Sequence, residues 1–349
     1  MRLEARGQVS RSMQIAAPFA AIAFTLVVCS LLVAWAGVPV GGAYLLLLEG
    51  AAGSGFAVSE TLTRATPLML TGLAVAVAFR AKLYNIGAEG QLYMGALAAV
   101  AVGNAGLPLP PIVLFPLIAL AAMAAGALLL IGPALLKTRF HIDEVVTTLL
   151  LNFIALLFVS MMLDGPMKDP GALGWPQSVA IPSELELPKL AERSRIHSGL
   201  LIALCLAALV WMIDRFTAFG FEMRAVGANA RAAAFAGMPV QAVVVKTALL
   251  SGALAGLAGC IEVAGRAGYV TLDMSPGYGY SGIVIAMLAQ LNPIGVVAAA
   301  IFVAGILVGA DSMSRAIAVP TYIADVIVAA SLIAMLVATM LARYRIRWG

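Results

Sequence analysis

The residues best suited to chemistry in this chain lie in two short stretches and a few polar positions between apolar runs. Leu83–Val100 reads LYNIGAEGQLYMGALAAV and sets Asn85, Glu89 and Gln91, with Gly87 and Gly90, between two such runs. A carboxylate at membrane depth is costly unless it is paired or wetted. Two roles fit these residue types. Asn85, Glu89 and Gln91 could line the inner mouth of a path or pack against a moving gate, with the glycines permitting close helix approach. Alternatively, Glu89 caps the start of a helix, where negative charge is favoured by about 0.3–1 kcal/mol, and pairs with Arg80 or Lys82. Asn152, in mid-run without a charged neighbour, fits a path lining or an interhelical hydrogen bond, worth about 0.6 kcal/mol on average. Tyr278 and Tyr280, set among Gly277, Gly279 and Gly282, fit an outer gate or an aromatic belt at the membrane surface.

The second stretch, Asp214–Gln241, reads DRFTAFGFEMRAVGANARAAAFAGMPVQ. Asn229 is a good N-cap for the alanine-rich run to Ala236. Gly237 suits the position after the last turn, and Pro239 prevents continuation. These signals predict a helix of about two turns lying outside the membrane. Such a helix could transmit a push from a partner, or simply cover the inner face of a bundle. An enzymatic set is missing: His141 and His197 are the only histidines, both in connections, and no H-E-x-x-H run occurs.

The elements that must position these residues follow from composition. Of 349 residues, 62% are hydrophobic and only 11% charged, and mean hydropathy is +1.03. A soluble domain is about 45–50% apolar and about 25% charged, so most of this surface must face lipid. The net charge of +4 and pI near 9.1 do not mark a nucleic-acid binder, because the basic residues are scattered through short connections. Cys29, Cys205 and Cys260 stand singly in apolar sequence and read as small buried thiols. Arg2, Arg6 and Arg11 precede an apolar run, Ile15–Trp35, that reads as an uncleaved first helix.

A span needs roughly 20 mainly apolar residues. Candidates are 15–35, 62–80, 88–104, 111–136, 145–163, 198–214, 243–264 and 320–341, and the apolar region 278–310 is broken by Asn292-Pro293. Thirteen of the 21 basic residues fall in the terminal segments and alternate connections, which assigns those to the cytoplasm. With both termini inside, the number of crossings must be even. Dividing 278–310 into 278–291 and 294–310 gives ten, the pair being full spans or half-helices buried among neighbours. The expected fold is therefore an all-α polytopic transmembrane bundle, one domain over 1–349, with 38–57 as an outer connection. A proline-rich outer loop at 164–197 carries Glu184, Glu186, Lys189, Glu192 and Arg193, and reads as a solvated loop or a docking surface. Asp143-Glu144 suit a helix start. Glu262, Asp273, Asp311 and Asp325 read as solvated groups near outer ends, and Gly252, Gly256 and Gly259 as a close-packing face.

Four stretches occur in an order that resembles a known family: GLAVAVAFRAKLYNIGAEGQLYMGA (Gly72–Ala96), HIDEVVTTLLLN (His141–Asn152), EMRAVGANARAAAFAGM (Glu222–Met238) and PGYGYSGIVIAMLAQLNPIGV (Pro276–Val296). They resemble the permease subunits of ABC importers for simple sugars and nucleosides. The nearest likeness is to permeases that work with basic-membrane-protein-type nucleoside-binding lipoproteins. The resemblance implies an inner-membrane subunit that alternates between outward- and inward-open states without covalent chemistry. It also implies a cytoplasmic ABC ATPase, a second permease subunit (a related chain in a heterodimer, or a second copy of this one) and an outer substrate-binding protein. ATP and magnesium would belong to the ATPase, since the sequence has no G-x-x-x-x-G-K-[ST] loop. In this reading 215–241 is the coupling loop, in which Glu222, Arg224, Gly227, Ala228 and Gly237 match the family's pattern and Asn229, the N-cap, counts with them as a coupling residue. An ion-coupled transporter would need carboxylates deep in its spans, and most spans here lack them. Whether the solute is a nucleoside or a ribose-like sugar rests on the likeness alone.

Overall fold

The computed structural model describes residues 2–5, 39–192, 194–317 and 344–347, with scattered backbone positions in 23–34 and 326–338. Eleven α-helices make up nearly all of the regular structure among them. One departure from an all-α chain is a short antiparallel ladder, Arg2–Ala5 (β1) on Tyr344–Arg347 (β2), with Arg2 opposite Arg347. The spans expected at 15–35 and 320–341 lie outside the described residues, as does Cys29.

The chain divides into two compact units. The first, 1–61 with 302–349, contains α1 (Val40–Ala52). This helix corrects the expectation of a plain outer connection at 38–57. Capped by Pro39 and Gly53, it has 13 residues, about 20 Å of helix, too short for a hydrocarbon core about 30 Å thick. Within this unit Gly50 packs against Ser312 and Gly309 against the Leu47 carbonyl, contacts that a Cβ would obstruct. Thr61 Oγ1 donates to the Ala51 carbonyl at 2.8 Å.

The second unit, 62–301, holds most of α2 (Gly55–Arg80), then α3 (Ala88–Gly103), α4 (Pro111–Phe140), α5 (Glu144–Asp164) and α6 (Gly199–Phe216). It continues through α7 (Ala218–Ala228), α8 (Ala230–Phe235), α9 (Val240–Glu262), α10 (Tyr278–Leu288) and the start of α11 (Pro293–Ile317). Six of the described helices are long and apolar enough to cross a membrane: α2, α4, α5, α6, α9 with its π-helical extension, and α11. They fall into two kinds. The apolar windows of α2 and α9 are mostly buried in protein, whereas those of α4, α5 and α6 are mostly exposed, with Leu128, Leu157 and Ile112 projecting outward. A membrane protein needs both, because the outer helices must present apolar side chains to lipid. Cys205 belongs to an exposed face of α6, against the expectation of burial, and Cys260 is buried.

Close packing of α9 rests on its glycines. Gly252 and Gly256 meet Gly126 of α4, Gly256 also meets Gly95 of α3, and Gly259 lies against Leu92 and Ala96. At each, a Cβ would strike backbone, which cannot move aside, so the small-residue face functions as expected.

The loop 164–197 is fastened to the bundle through its backbone, while the side chains of Glu184, Glu186, Lys189 and Glu192 stay exposed. Ser178 N donates to Val270 O at 3.0 Å, Ile181 N to Gly268 O at 2.7 Å and Leu187 N to Ala264 O at 2.8 Å. These bonds use the carbonyls just after α9, where a π turn, Val263–Ala267, leaves the regular helix. The loop's regular structure is limited to a 3₁₀ turn at Ser183–Leu185 and two isolated bridges.

Candidate functional site

The polar residues singled out along the chain converge in the second unit. α5 presents Glu144, Thr148 and Asn152 at i, i+4 and i+8, which places them on one helical face. That face holds the chain leading into α3: Tyr84 N donates to Glu144 Oε1 at 3.2 Å, Ile86 N to Thr148 Oγ1 at 3.3 Å, and Gly90 N to Asn152 Oδ1. The Asn152 carboxamide also donates to the Tyr280 hydroxyl on α10. Asn152 is therefore an interhelical tie, fully buried.

Asn85 and Gln91 form a reciprocal carboxamide pair. Asn85 Nδ2 donates to Gln91 Oε1 and Gln91 Nε2 to Asn85 Oδ1, both at 2.9 Å. Asn85 Nδ2 also reaches Ser251 Oγ at 3.1 Å, and Ser251 donates to the Ala74 carbonyl at 2.7 Å. This network joins α2, α3 and α9 with every participant buried. Its bonds are made within the protein, as a dry interior requires.

Glu89 lies in the first turn of α3 and is buried. It does not pair with Arg80 or Lys82, as the sequence suggested. Its carboxylate accepts from Gly279 N at 2.5 Å, with Ser275 and Gly277 also bonded to it. Glu89 thus caps the N-terminus of α10, a helix far away in sequence, where negative charge answers both the orphan amides and the helix dipole. Arg80 pairs instead with Asp214 at 2.7 Å, and Lys137 donates to the Lys82 backbone carbonyl and pairs with Glu144.

The interrupted region resolves into a half-helix and a full one. α10 has 11 residues, about 16 Å of helix, too short for a core about 30 Å thick. The irregular chain before it runs along α3: Tyr93 Oη donates to Leu272 O at 2.5 Å and accepts from Ser275 N at 3.3 Å, before Glu89 takes Gly279. Broken backbone at this depth is covered by protein. Tyr278 is wholly buried, so the belt reading fails for it; its hydroxyl accepts from Arg266 at 3.0 Å. Arg266 also pairs with Glu262 at 2.5 Å, and Glu262 is 1% exposed, which corrects the expectation of a solvated carboxylate. Tyr280 is 38% exposed.

The second stretch is built differently. Thr217 caps α7, its hydroxyl accepting from Gly220 N at 3.0 Å. Sequence reading had not resolved this preceding helix. Asn229 caps α8 as expected, its Oδ1 accepting from Arg231 N and Ala232 N at 3.0 and 3.1 Å. Gly237 follows in the left-handed region, φ +82°. Arg224 pairs with Asp214 at 3.1 Å, Gly227 lies against the Arg80 carbonyl, and Glu222 is half-buried. Ala228 and Asn229 are exposed, and Phe235, which sequence reading passed over, is 97% exposed. A cavity of about 1050 Å³ opens beside α8, lined in part by Lys82, His141, Asn229 and Arg231. Thr148, Ser251 and Asp214 were also missed; of these only Thr148 carried a local signal, the four-residue spacing with Glu144 and Asn152.

Comparison with known proteins agrees with this architecture. Residues 57–336 match the family described as branched-chain amino acid transport system / permease component. The guanosine ABC transporter permease NupP of Bacillus subtilis is 37% identical over 326 residues, covering 92% of each chain. The glucose ABC transporter permease TsgB13 of Haloferax volcanii is 38% identical over 84% of this chain and 79% of that one. NupQ, a second guanosine permease of B. subtilis, is 29% identical over 70% and 78%. The chain belongs to the branched-chain amino acid transport system / permease component family, as a multi-pass permease of the ABC type.

Proposed function

We propose that the chain is the membrane-spanning subunit of an ATP-driven importer that moves a nucleoside across a bacterial inner membrane by alternating access. The observation that carries this reading is likeness to a guanosine permease over 92% of both chains. The glucose permease at 38% identity favours a second reading, a simple-sugar importer. In either, the chain makes ten crossings with both termini in the cytoplasm, the short α10 completing one of them together with the irregular chain 268–277 that precedes it. The antiparallel pairing of β1 with β2 supports a common side for the two ends.

The chain binds no cofactor of its own in this reading. ATP and magnesium belong to a cytoplasmic ATPase, which grips the coupling loop 215–241 through α8. Glu222, Arg224, Gly227, Ala228, Asn229 and Gly237 shape that loop, and the exposed Phe235 is its anchor. An outer binding protein delivers the solute, and a second permease completes the pathway. The existence of NupP and NupQ in one bacterium supports two related subunits. Glu89 and Asn152 hold the half-helix α10 in place, Tyr278 ties its start to Arg266, Asn85 and Gln91 fix α3 against α2 and α9, and Tyr280, partly exposed at the start of α10, faces the path. The ATPase can shift the permease between states only by fitting one of them better.

Uptake of labelled guanosine, ribose and glucose into a strain lacking this gene tests the proposal. Loss of guanosine uptake alone is expected. Loss of sugar uptake alone transfers the assignment to the second reading, and loss of neither overturns both. Guanosine uptake that survives deletion of the ATPase gene would mean an ion-coupled carrier instead.

A further inference from the structure

Where α6 ends, a concavity of about 480 Å³ opens between α6, α7, the end of α2 and the start of α11. Arg80, Arg215 and Arg224 line it, against one acidic residue, Asp214. Asp214 is shared between Arg80 at 2.7 Å and Arg224 at 3.1 Å, and Arg215 has no acidic partner among the described residues. Positive charge is therefore in excess. The start of α11 adds to it: Asn292 lines the cavity and caps that helix, its Oδ1 accepting from Ile294 N at 3.0 Å. The aligned peptides of a 25-residue helix place partial positive charge at this end.

The remaining wall is Trp211 with Pro293. Trp211, 36% exposed, meets Phe216 edge-on, with ring centroids 5.5 Å apart and planes at 88°. Both lie in the last turns of an apolar span, and Leu209 and Met212 beside them are exposed. Tryptophan at the end of a span marks the level of lipid headgroups. An anion-seeking pocket at that level, with an apolar face directly alongside, fits a ligand that is anionic at one end and hydrocarbon at the other.

We infer that this concavity binds the phosphodiester headgroup of an anionic phospholipid, with Arg215 as the cation that closes on the phosphate. Arginine suits the role because its planar guanidinium meets two phosphate oxygens at once. Basic pockets between spanning helices take such headgroups. Free phosphate shares the headgroup's chemistry but would leave the Trp211 wall and the α6 face without a partner.

The test uses the full-length chain in neutral detergent, equilibrated with equal amounts of phosphatidylglycerol and phosphatidylcholine and read by native mass spectrometry. The wild type should retain one phosphatidylglycerol in preference to phosphatidylcholine. Arg215→Gln should weaken that retention about fivefold, the effect of one cation near the headgroup, and Arg215→Lys should restore part of it. Equal retention of the two lipids overturns the inference, as does unchanged retention in Arg215→Gln at an unchanged melting temperature. Should Arg215→Gln melt lower than the wild type, Trp211→Leu is read instead. It leaves every arginine in place and must also weaken phosphatidylglycerol. Low-millimolar inorganic phosphate should leave the lipid bound, and complete displacement would assign the pocket to a soluble phosphate and overturn the lipid.

Discussion

Asn85 and Asn229 are both asparagines just before a helix, and they live in different surroundings. Asn85 is wholly buried, and its carboxamide serves Gln91, Ser251 and Gly87. Asn229 is exposed and serves only two amides of its own short helix. The same contrast separates Glu89, wrapped by the start of α10, from Glu222, half-buried on α7. Asn85, Glu89 and Asn152 are each answered by another element, so a change in one is felt by several helices. Asn229 is answered within its own short helix, and the outer surface of α8 stays exposed.

The most severe test of the interior is Gly279→Ala. A Cβ there would overlap the backbone of Glu89 and Ala88, and neither helix start can retreat without breaking its cap. A loss of about 3 kcal/mol or more is expected, seen as a large fall in melting temperature with uptake abolished. A variant that melts like the wild type would show that α3 and α10 are not locked together.

Glu89→Ala follows. It leaves the Gly279 amide without its acceptor in a buried place, costing about 1–3 kcal/mol. Glu89→Gln keeps an oxygen at the same reach and should retain part of the stability. Hydrogen exchange at 277–281 should rise in the alanine variant more than in the glutamine one. Equal losses would mean that charge at the helix start, rather than the hydrogen bond, is the larger contribution.

His197 extends the comparison to a buried group satisfied in only one protonation state. It is 2% exposed under the outer loop, and its Nδ1 accepts from Gly199 N at 3.2 Å. Burial lowers its pKa from 6.5 to about 4. Between those values the unfolded chain holds more proton than the folded one, so stability falls as pH drops from about 6.5 towards 4. At pH 5.5 the loss is about 1 kcal/mol. Hydrogen exchange along 178–199 should be faster at pH 5.5 than at pH 7.5, after correction for intrinsic rates, and His197→Gln should flatten the difference. An unchanged profile in that variant would place the sensitivity elsewhere.

How much could be read beforehand depended on the range of each interaction. The helices at 111–140 and 144–164 were visible because hydropathy and caps are local, and Asn229 with Gly237 bracketed α8 for the same reason. The break at Asn292-Pro293 was equally plain, but the depth of α10 was not. That depth is set by Glu89, 190 residues away from Gly279 in sequence. Asp214 went unread because an aspartate at the end of a span carries no sign of which arginines will reach it. The attachment of the loop 164–197 to 264–270 went unread because it uses backbone groups, which no side-chain pattern reveals.

Phe235→Ala should have almost no effect on stability. The ring is 97% exposed, so its removal opens no cavity, and alanine is the better helix former. In the proposed reading its place on α8 serves the ATPase as an anchor. Central aromatic anchors carry a large share of interface energy, commonly about 2 kcal/mol or more. The variant should therefore melt with the wild type yet retain several-fold less ATPase on purification, with uptake reduced in proportion. The contrast with Glu89→Ala is the point of doing both: that variant should lose stability first. If Phe235→Ala instead melts low and keeps its ATPase, the exposed helix belongs to the scaffold, and the division between interior and coupling loop does not hold.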